Sequence, residues 1–114
     1  MEKTLFTFSA LQEARDFIMS LSPAVRRKVF FNIDKVAGGV RDVELFKKLN
    51  ENIWEFRTRY NGMSYRLFAF WDKDIETFVI ATHGLVKKTQ KTPQGEIERA
   101  ESIRTEYFRQ KNKK

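Results

Sequence analysis

The stretch IWEFRTRYNGMSYRLFAFW, residues 53–71, decides how this chain folds. Apolar and polar residues alternate on both sides of Asn61-Gly62, and a two-residue type I′ turn needs the positive φ angles that Asn and Gly tolerate best. A hairpin about that turn has one register. Tyr60 lies opposite Met63, Arg59 opposite Ser64, Thr58 opposite Tyr65, and Arg57 opposite Arg66. Like charges opposed across two strands destabilise a sheet, so the arginine pair is expected to hold an anion between its guanidinium groups.

Alternation with period two also divides the hairpin into faces. Trp54, Phe56, Thr58, Tyr60, Met63, Tyr65, Leu67, Ala69 and Trp71 share the face that reads as core. Glu55, Arg57, Arg59, Ser64, Arg66, Phe68 and Phe70 share the other. Arginine suits phosphate, because its planar donor fork matches the oxygens and it never deprotonates. Phe68 and Phe70 beside those arginines suit base stacking, unless a C-terminal helix covers them. The plainer alternative is that Glu55 neutralises Arg57 or Arg59 on a solvated face.

Outward from the hairpin the chain reads as one α+β domain over residues 1–114. Thr4–Phe8 alternates weakly as a short strand. Ser9 and Gln12 have the spacing of a capping box, with Leu11, Ala14, Phe17, Ile18 and Leu21 at helical intervals behind it. Ser22-Pro23 starts a second helix with proline at its first position. Val25, Val29, Phe30, Ile33 and Val36 form that helix's stripe, and Gly38-Gly39 ends it. After residues 40–52, strands are expected at Ile53–Tyr60, Ser64–Trp71 and Ile75 to about His83. The loops between them are short enough to force an antiparallel meander. Thr92-Pro93 opens a last helix whose apolar face is Ile97, Ala100, Ile103, Tyr107 and Phe108, and residues 109–114 are a frayed basic tail.

Composition narrows the chemistry. In 114 residues there are 22 Lys and Arg against 15 Asp and Glu, a net charge of +7. Such an excess in so small a domain favours polyanions, with nucleic acid first and an anionic membrane second. The absence of cysteine removes disulfides and thiolate metal sites, and a single histidine leaves little for a transition metal. With no long apolar run and no signal-peptide core near the N-terminus, a soluble cytoplasmic protein without cofactor is expected. Gly-rich phosphate loops, metal-binding carboxylate pairs and nucleophile elbows are missing from the sequence.

The remaining candidates follow the third strand. His83 can move a proton near neutrality, although a lone histidine is as often structural. Lys87, Lys88 and Lys91 lie in a polar segment beside it. If the protein is an enzyme, metal-free RNA cleavage is the most economical reaction, because RNA carries its own nucleophile in the 2′-hydroxyl.

The order strand, two helices, meander, helix resembles the RelE superfamily of bacterial toxins. WEFRTRYNGMSYRLFAFWD (54–72) and HGLVKKTQKTPQGEIERA (83–100) are similar to its phage-derived, HigB-like branch, through the elements E-x-R-x-R-Y, Y-R and H-G-x-x-K-K-T-x-K-T-P. The likeness covers roughly residues 5–108. It implies a RelE-like fold in which an N-terminal strand and helix hairpin pack on an antiparallel sheet with a C-terminal helix. It further implies a type II toxin that cuts mRNA, commonly on the ribosome, and is held inactive by a small antitoxin with a helix-turn-helix domain. By position, Glu55 and Arg57 match second-strand site residues, Arg66 a third-strand arginine, and His83 a residue ending the last strand. Lys87 and Lys88 fall where the final loop approaches RNA. On this resemblance Arg57 and Arg66 grip the scissile phosphate, Glu55 or His83 is the general base, and His83 the general acid. Arg59, Phe68 and Lys91 complete the RNA face. Several relatives place a catalytic Tyr or His near the C-terminus, whereas Tyr107 fits a core stripe here. A non-catalytic RNA-binding or antitoxin-docking module would use the same face.

Overall fold

The computed structural model describes residues 5–75, 77–88 and 91–113. Its elements are β1 (Thr7–Ala10), α1 (Gln12–Ser20), α2 (Pro23–Ala37), β2 (Phe46–Lys48), β3 (Trp54–Tyr60), β4 (Met63–Trp71), β5 (Phe78–Lys87) and α3 (Gln94–Lys111). The strands form one sheet in the order β1-β5-β4-β3-β2, with β1 parallel to β5 and the other neighbours antiparallel. The hairpin is as its turn dictates. Asn61 and Gly62 have φ of 49° and 78°, and Arg57 stands opposite Arg66.

Several boundaries differ from those the sequence suggests, each for a local reason. β1 is displaced toward the C-terminus, and Thr4 lies outside the described residues. Ser9 is thereby drawn into the sheet opposite Ile80, so the capping box does not form. Leu11 is the N-cap without a side-chain bond, and Gln12 donates instead to Asp16 at 2.8 Å. The second helix does start at Pro23, with Ser22 Oγ accepting from Val25 N. Arg26 reaches back from it to the carbonyls of Ile18, Met19 and Leu21 (3.4, 3.2 and 3.0 Å), satisfying acceptors that the end of α1 leaves open. Phe30 points outward. The buried place goes to Asn32, which donates to Thr58 Oγ1 at 3.2 Å. β2 occupies a stretch in which no strand is expected. β5 begins later because Asp72 accepts from the backbone of Asp74 and Ile75, holding those residues in the turn, and it continues through Lys87 by pairing with β4 as far as Ser64. α3 runs to Lys111, taking the first part of the expected basic tail into the helix.

Both faces of the sheet are covered. On one, Phe6, Phe56, Leu67 and Val79 pack against Ala14 and Ile18 of α1 and Val25, Val29 and Ile33 of α2. α1 sits close enough that a Cβ at Gly84 would stand 2.1 Å from Phe17 Cδ2. On the other, Ile53, Phe68, Phe70 and Ile80 pack against Ala100 and Phe108 of α3. The face that carries Glu55, Arg57, Arg66, Phe68 and Phe70 is therefore roofed by α3, and the two phenylalanines are covered by the C-terminal helix. Among the described residues no helix is long and apolar enough to cross a membrane.

Candidate functional site

Three cross-strand rows on the roofed face order the candidate residues. The innermost reads Glu55, Phe68, His83; the next Arg57, Arg66, Leu85; the outermost Arg59, Ser64, Lys87. Accessibility rises along them. Glu55, Arg66 and Phe68 are 0% exposed, His83 1% and Arg57 8%, whereas Lys87 is half-buried and Arg59, Lys88 and Lys91 are exposed.

His83 reaches this face through a bulge. Phe68 pairs with His83 but Ala69 pairs with Ala81, so Thr82 is an extra residue in β5. Strict alternation from Ala81 would have put His83 against α1 and α2. The Thr82 hydroxyl lies 3.2 Å from the Phe68 carbonyl and 2.9 Å from His83 Nδ1, and His83 Nε2 lies 2.9 Å from Glu96 Oε1. The imidazole stacks on Phe68 with ring centroids 4.8 Å apart. This geometry admits two proton arrangements. In the neutral ring Nε2–H donates to Glu96 while Nδ1 accepts from Thr82. In the cation both nitrogens donate, and Thr82 turns its proton to the Phe68 carbonyl. Burial pulls the His83 pKa below its ordinary value, and the Glu96 carboxylate opposes the shift.

The anion demanded by the arginine pair is supplied from within the chain. Glu55 Oε2 accepts from Arg66 Nη1 and from the Thr92 hydroxyl, both at 2.8 Å, and Arg66 also donates to Thr92 Oγ1 at 3.0 Å and to Ser64 Oγ at 2.7 Å. Glu55 Oε1 faces Arg57 Nε at 3.5 Å and has no hydrogen-bond partner among the described residues. Arg57 Nη1 donates to the Val43 carbonyl at 3.3 Å. Glu55 thus places one carboxylate between the two guanidinium groups.

The structure thus brings Glu55, Arg57, Arg66, Phe68 and His83 together and leaves Arg59 and the lysines at the rim. Phe68 is not the exposed stacking surface that alternation suggests, since His83 and α3 cover it. Thr92, Glu96, Ser64 and Thr82 belong to the cluster and escape a reading by residue type. The signal for two of them is the spacing of Thr92 and Glu96 about one turn apart at the start of a helix. Tyr107 lies farther along α3, roughly three and a half turns from the helix start, and donates to Asp72 at 2.7 Å. Burial and the adjoining Asp72 carboxylate raise its pKa. Among the described residues, no three His, Asp or Glu side chains converge as metal ligands would.

This sheet order, with two helices on one face and one on the other, defines a RelE-type fold. The chain is similar to the intact RelBE toxin-antitoxin complex of E. coli, with TM-score 0.55 and 17% identity over 75% of this chain and 99% of that one. A mutant E. coli toxin RelE in the free state gives 0.54 and 15% over 75% and 83%. The archaeal RelE–RelB complex from Pyrococcus horikoshii gives 0.53 and 11% over 76% and 99%. No curated protein matches the sequence. Residues 16–105 match the phage-derived protein Gp49-like family, and the chain belongs to it.

Proposed function

We propose that this protein is the toxin of a type II toxin–antitoxin pair and acts as a metal-independent endoribonuclease. It cuts mRNA on the ribosome and is neutralised by a small antitoxin with a helix-turn-helix domain. Its family and its fold, shared with the toxins of the RelBE and RelE–RelB complexes, support the toxin reading. The observation that carries the cleavage reading is the Arg57–Arg66 pair on one sheet face with Glu55 and His83 one row away.

The chemistry needs little else. A base takes the 2′-hydroxyl proton, the 2′-oxygen attacks phosphorus, the bond to the 5′-oxygen breaks, and an acid protonates that leaving oxygen. Arg57 and Arg66 stabilise the charge of the phosphorane, usually the largest single catalytic contribution. Glu55 or His83 serves as base and His83 as acid, with the Thr82 hydroxyl able to reverse its hydrogen bond as the ring changes charge. Arg59, Lys87, Lys88 and Lys91 attract the RNA backbone from the rim.

Induced expression with mapping of RNA 5′ ends tests this. Growth arrest with new ends inside translated messages, relieved by co-expressing the neighbouring antitoxin gene, is the expected result. Normal growth and unchanged ends at abundant expression would reject the enzyme. A second reading is favoured by the burial of Glu55, Arg66 and His83. With only the rim accessible, the domain would bind RNA or dock an antitoxin without cutting, and would show salt-sensitive RNA binding but no single-turnover cleavage.

A further inference from the structure

With α3 docked, Glu55, Arg66 and His83 are closed to any solute as large as a nucleotide. The groups that close them are chemically specific. The segment leading into α3 sets Thr92 Oγ1 3.0 Å from Arg66 Nη1, and the first turn sets Glu96 Oε1 2.9 Å from His83 Nε2. A hydroxyl oxygen thus lies on the arginine and an anionic oxygen on the imidazole, at hydrogen-bonding distance. RNA carries oxygens of both types, hydroxyl on the ribose and anionic on the phosphate, and either would compete for the same donors. Resting on the ribonuclease reading above, we propose that α3 is a built-in competitor for RNA. Thr92 and Glu96 occupy the places of RNA oxygens, and the helix must lift before the scissile phosphate can enter.

The way α3 is held favours such a role. Of its 18 residues only Ala100 and Phe108 are buried, against six of the 15 in α2. Polar ties do much of the remaining work. Thr92 to Glu55 and Glu96 to His83 hold its start, Arg99 pairs with Glu13 of α1 at the surface, and Tyr107 and Lys111 hold its end on Asp72. Release of the start alone would uncover the inner two rows while the Asp72 anchor keeps the helix attached. The uncovered face pairs Phe68, a ring on which a base can stack, with Arg57 and Arg66 for phosphate. Arg59, Lys88 and Lys91 are exposed already, so RNA can be captured at the rim before it displaces the two oxygens.

Because the chain has no cysteine, Glu13→Cys with Arg99→Cys allows α3 to be bridged to α1 by a bismaleimide whose spacer contains a disulfide. The probe is a short fluorescein-labelled single-stranded RNA. An RNA that binds only the open form has its apparent affinity scaled by the open fraction, so bridging is expected to weaken binding about tenfold or more. Dithiothreitol, which cuts the spacer, should restore it. Thr92→Val with Glu96→Ala should strengthen binding several-fold, and hydrogen exchange of α3 amides should proceed by an opening separate from that of the sheet. RNA bound equally well with and without the bridge, together with α3 amides that exchange only when the sheet does, would overturn the competitor and leave the ribonuclease reading intact. Separate opening of α3 with no RNA bound by bridged, cleaved or Thr92/Glu96 variant protein would reject the RNA reading, and the competitor with it.

Discussion

Arg66→Gln decides whether the central arginine pair is strained or stabilised as it stands. Two opposite effects are in play. Opposed like charges cost a sheet roughly 0.2–1 kcal/mol, which the substitution would relieve. Against this, Arg66 is fully buried and donates to Glu55 at 2.8 Å, Ser64 at 2.7 Å and Thr92 at 3.0 Å. Removing one partner of a buried pair leaves the other charge uncompensated, at about 3–5 kcal/mol. Glu55 would keep the Thr92 hydroxyl and Arg57 Nε at 3.5 Å, which places the loss toward the lower end, about 3 kcal/mol. For a domain of this size that is a fall in Tm of roughly 12 °C. Arg57→Gln removes a longer contact and should cost about 1–2 kcal/mol. Urea unfolding followed by Trp54 and Trp71 fluorescence, with thermal melts, measures both. Adding Glu55→Gln to Arg66→Gln should recover part of the loss, because no buried carboxylate is then left without its partner. Wild-type or greater stability for Arg66→Gln alone would refute this reasoning and show that like-charge strain governs the pair.

Asp72 supplies the clearest acid dependence: burial alone would raise its pKa, but bonds from Lys111, Tyr107 and the backbone of Asp74 and Ile75 outweigh it and bring the value from 3.8 to about 2. A depressed carboxylate adds stability above its unfolded pKa and loses it as pH falls through the folded one, so about 2 kcal/mol should fade between roughly pH 5 and 1. Urea melts of Asp72→Asn should lack that component; an identical pH dependence in variant and wild type would contradict the assignment. His83 carries the same sign of shift, here driven by burial itself. Its folded pKa lies below 6.5, so the unfolded chain takes up the proton first and stability should decline as pH falls below about 6.5. As the single histidine it gives one imidazole titration by NMR, and Glu96→Gln should lower its midpoint further; a midpoint at or above the ordinary value would be inconsistent with the burial described. Gly84→Ala puts a Cβ 2.1 Å from Phe17 Cδ2 and should cost about 1–3 kcal/mol as an overpacked contact, checked by chemical unfolding. RNA affinity should fall as salt rises, and Lys88→Ala should reduce the slope of log K against log salt by about 1, an effect absent if this lysine makes no phosphate contact.

The hairpin was legible because its determinants are local. Asn61-Gly62 fixes the turn, the period of two fixes the faces, and Arg57 opposite Arg66 follows from both. β2 was not, since three residues carry no periodicity and Phe46–Lys48 is a strand only by pairing with β3. His83 was legible as a candidate but not in its orientation, because the face it occupies depends on the extra residue Thr82, a feature of how β5 meets β4. The arginine pair announced its need for an anion without saying whether a ligand or the chain would supply it. Glu55 was named as one possible neutraliser of Arg57, yet its closest guanidinium is that of Arg66, diagonally across the hairpin. Thr92 marked a helix start in the sequence, while its hydroxyl is committed to Glu55 and Pro93 caps α3 without a side-chain bond.

Burial of the inner rows also changes what each cation can do. Exposed charges such as Arg59, Lys88 and Lys91 act through water, where the interaction is weak at contact, long in range and screened by salt. They suit capture of a polyanion and add little to the stabilisation of any one phosphate. Arg57 and Arg66 sit where water is excluded, so their field is strong over short distances and poorly screened, and their geometry is set before a ligand arrives by Ser64, Val43 and Glu55. Fixed donors in such surroundings are the form in which charge stabilises a transition state most. The same burial makes an uncompensated guanidinium expensive. Glu55 from the sheet and Thr92 from the α3 lead-in meet that need with α3 docked. Sequestering strong cations from solvent and equipping them with internal partners are thus one physical requirement, satisfied by the same two side chains.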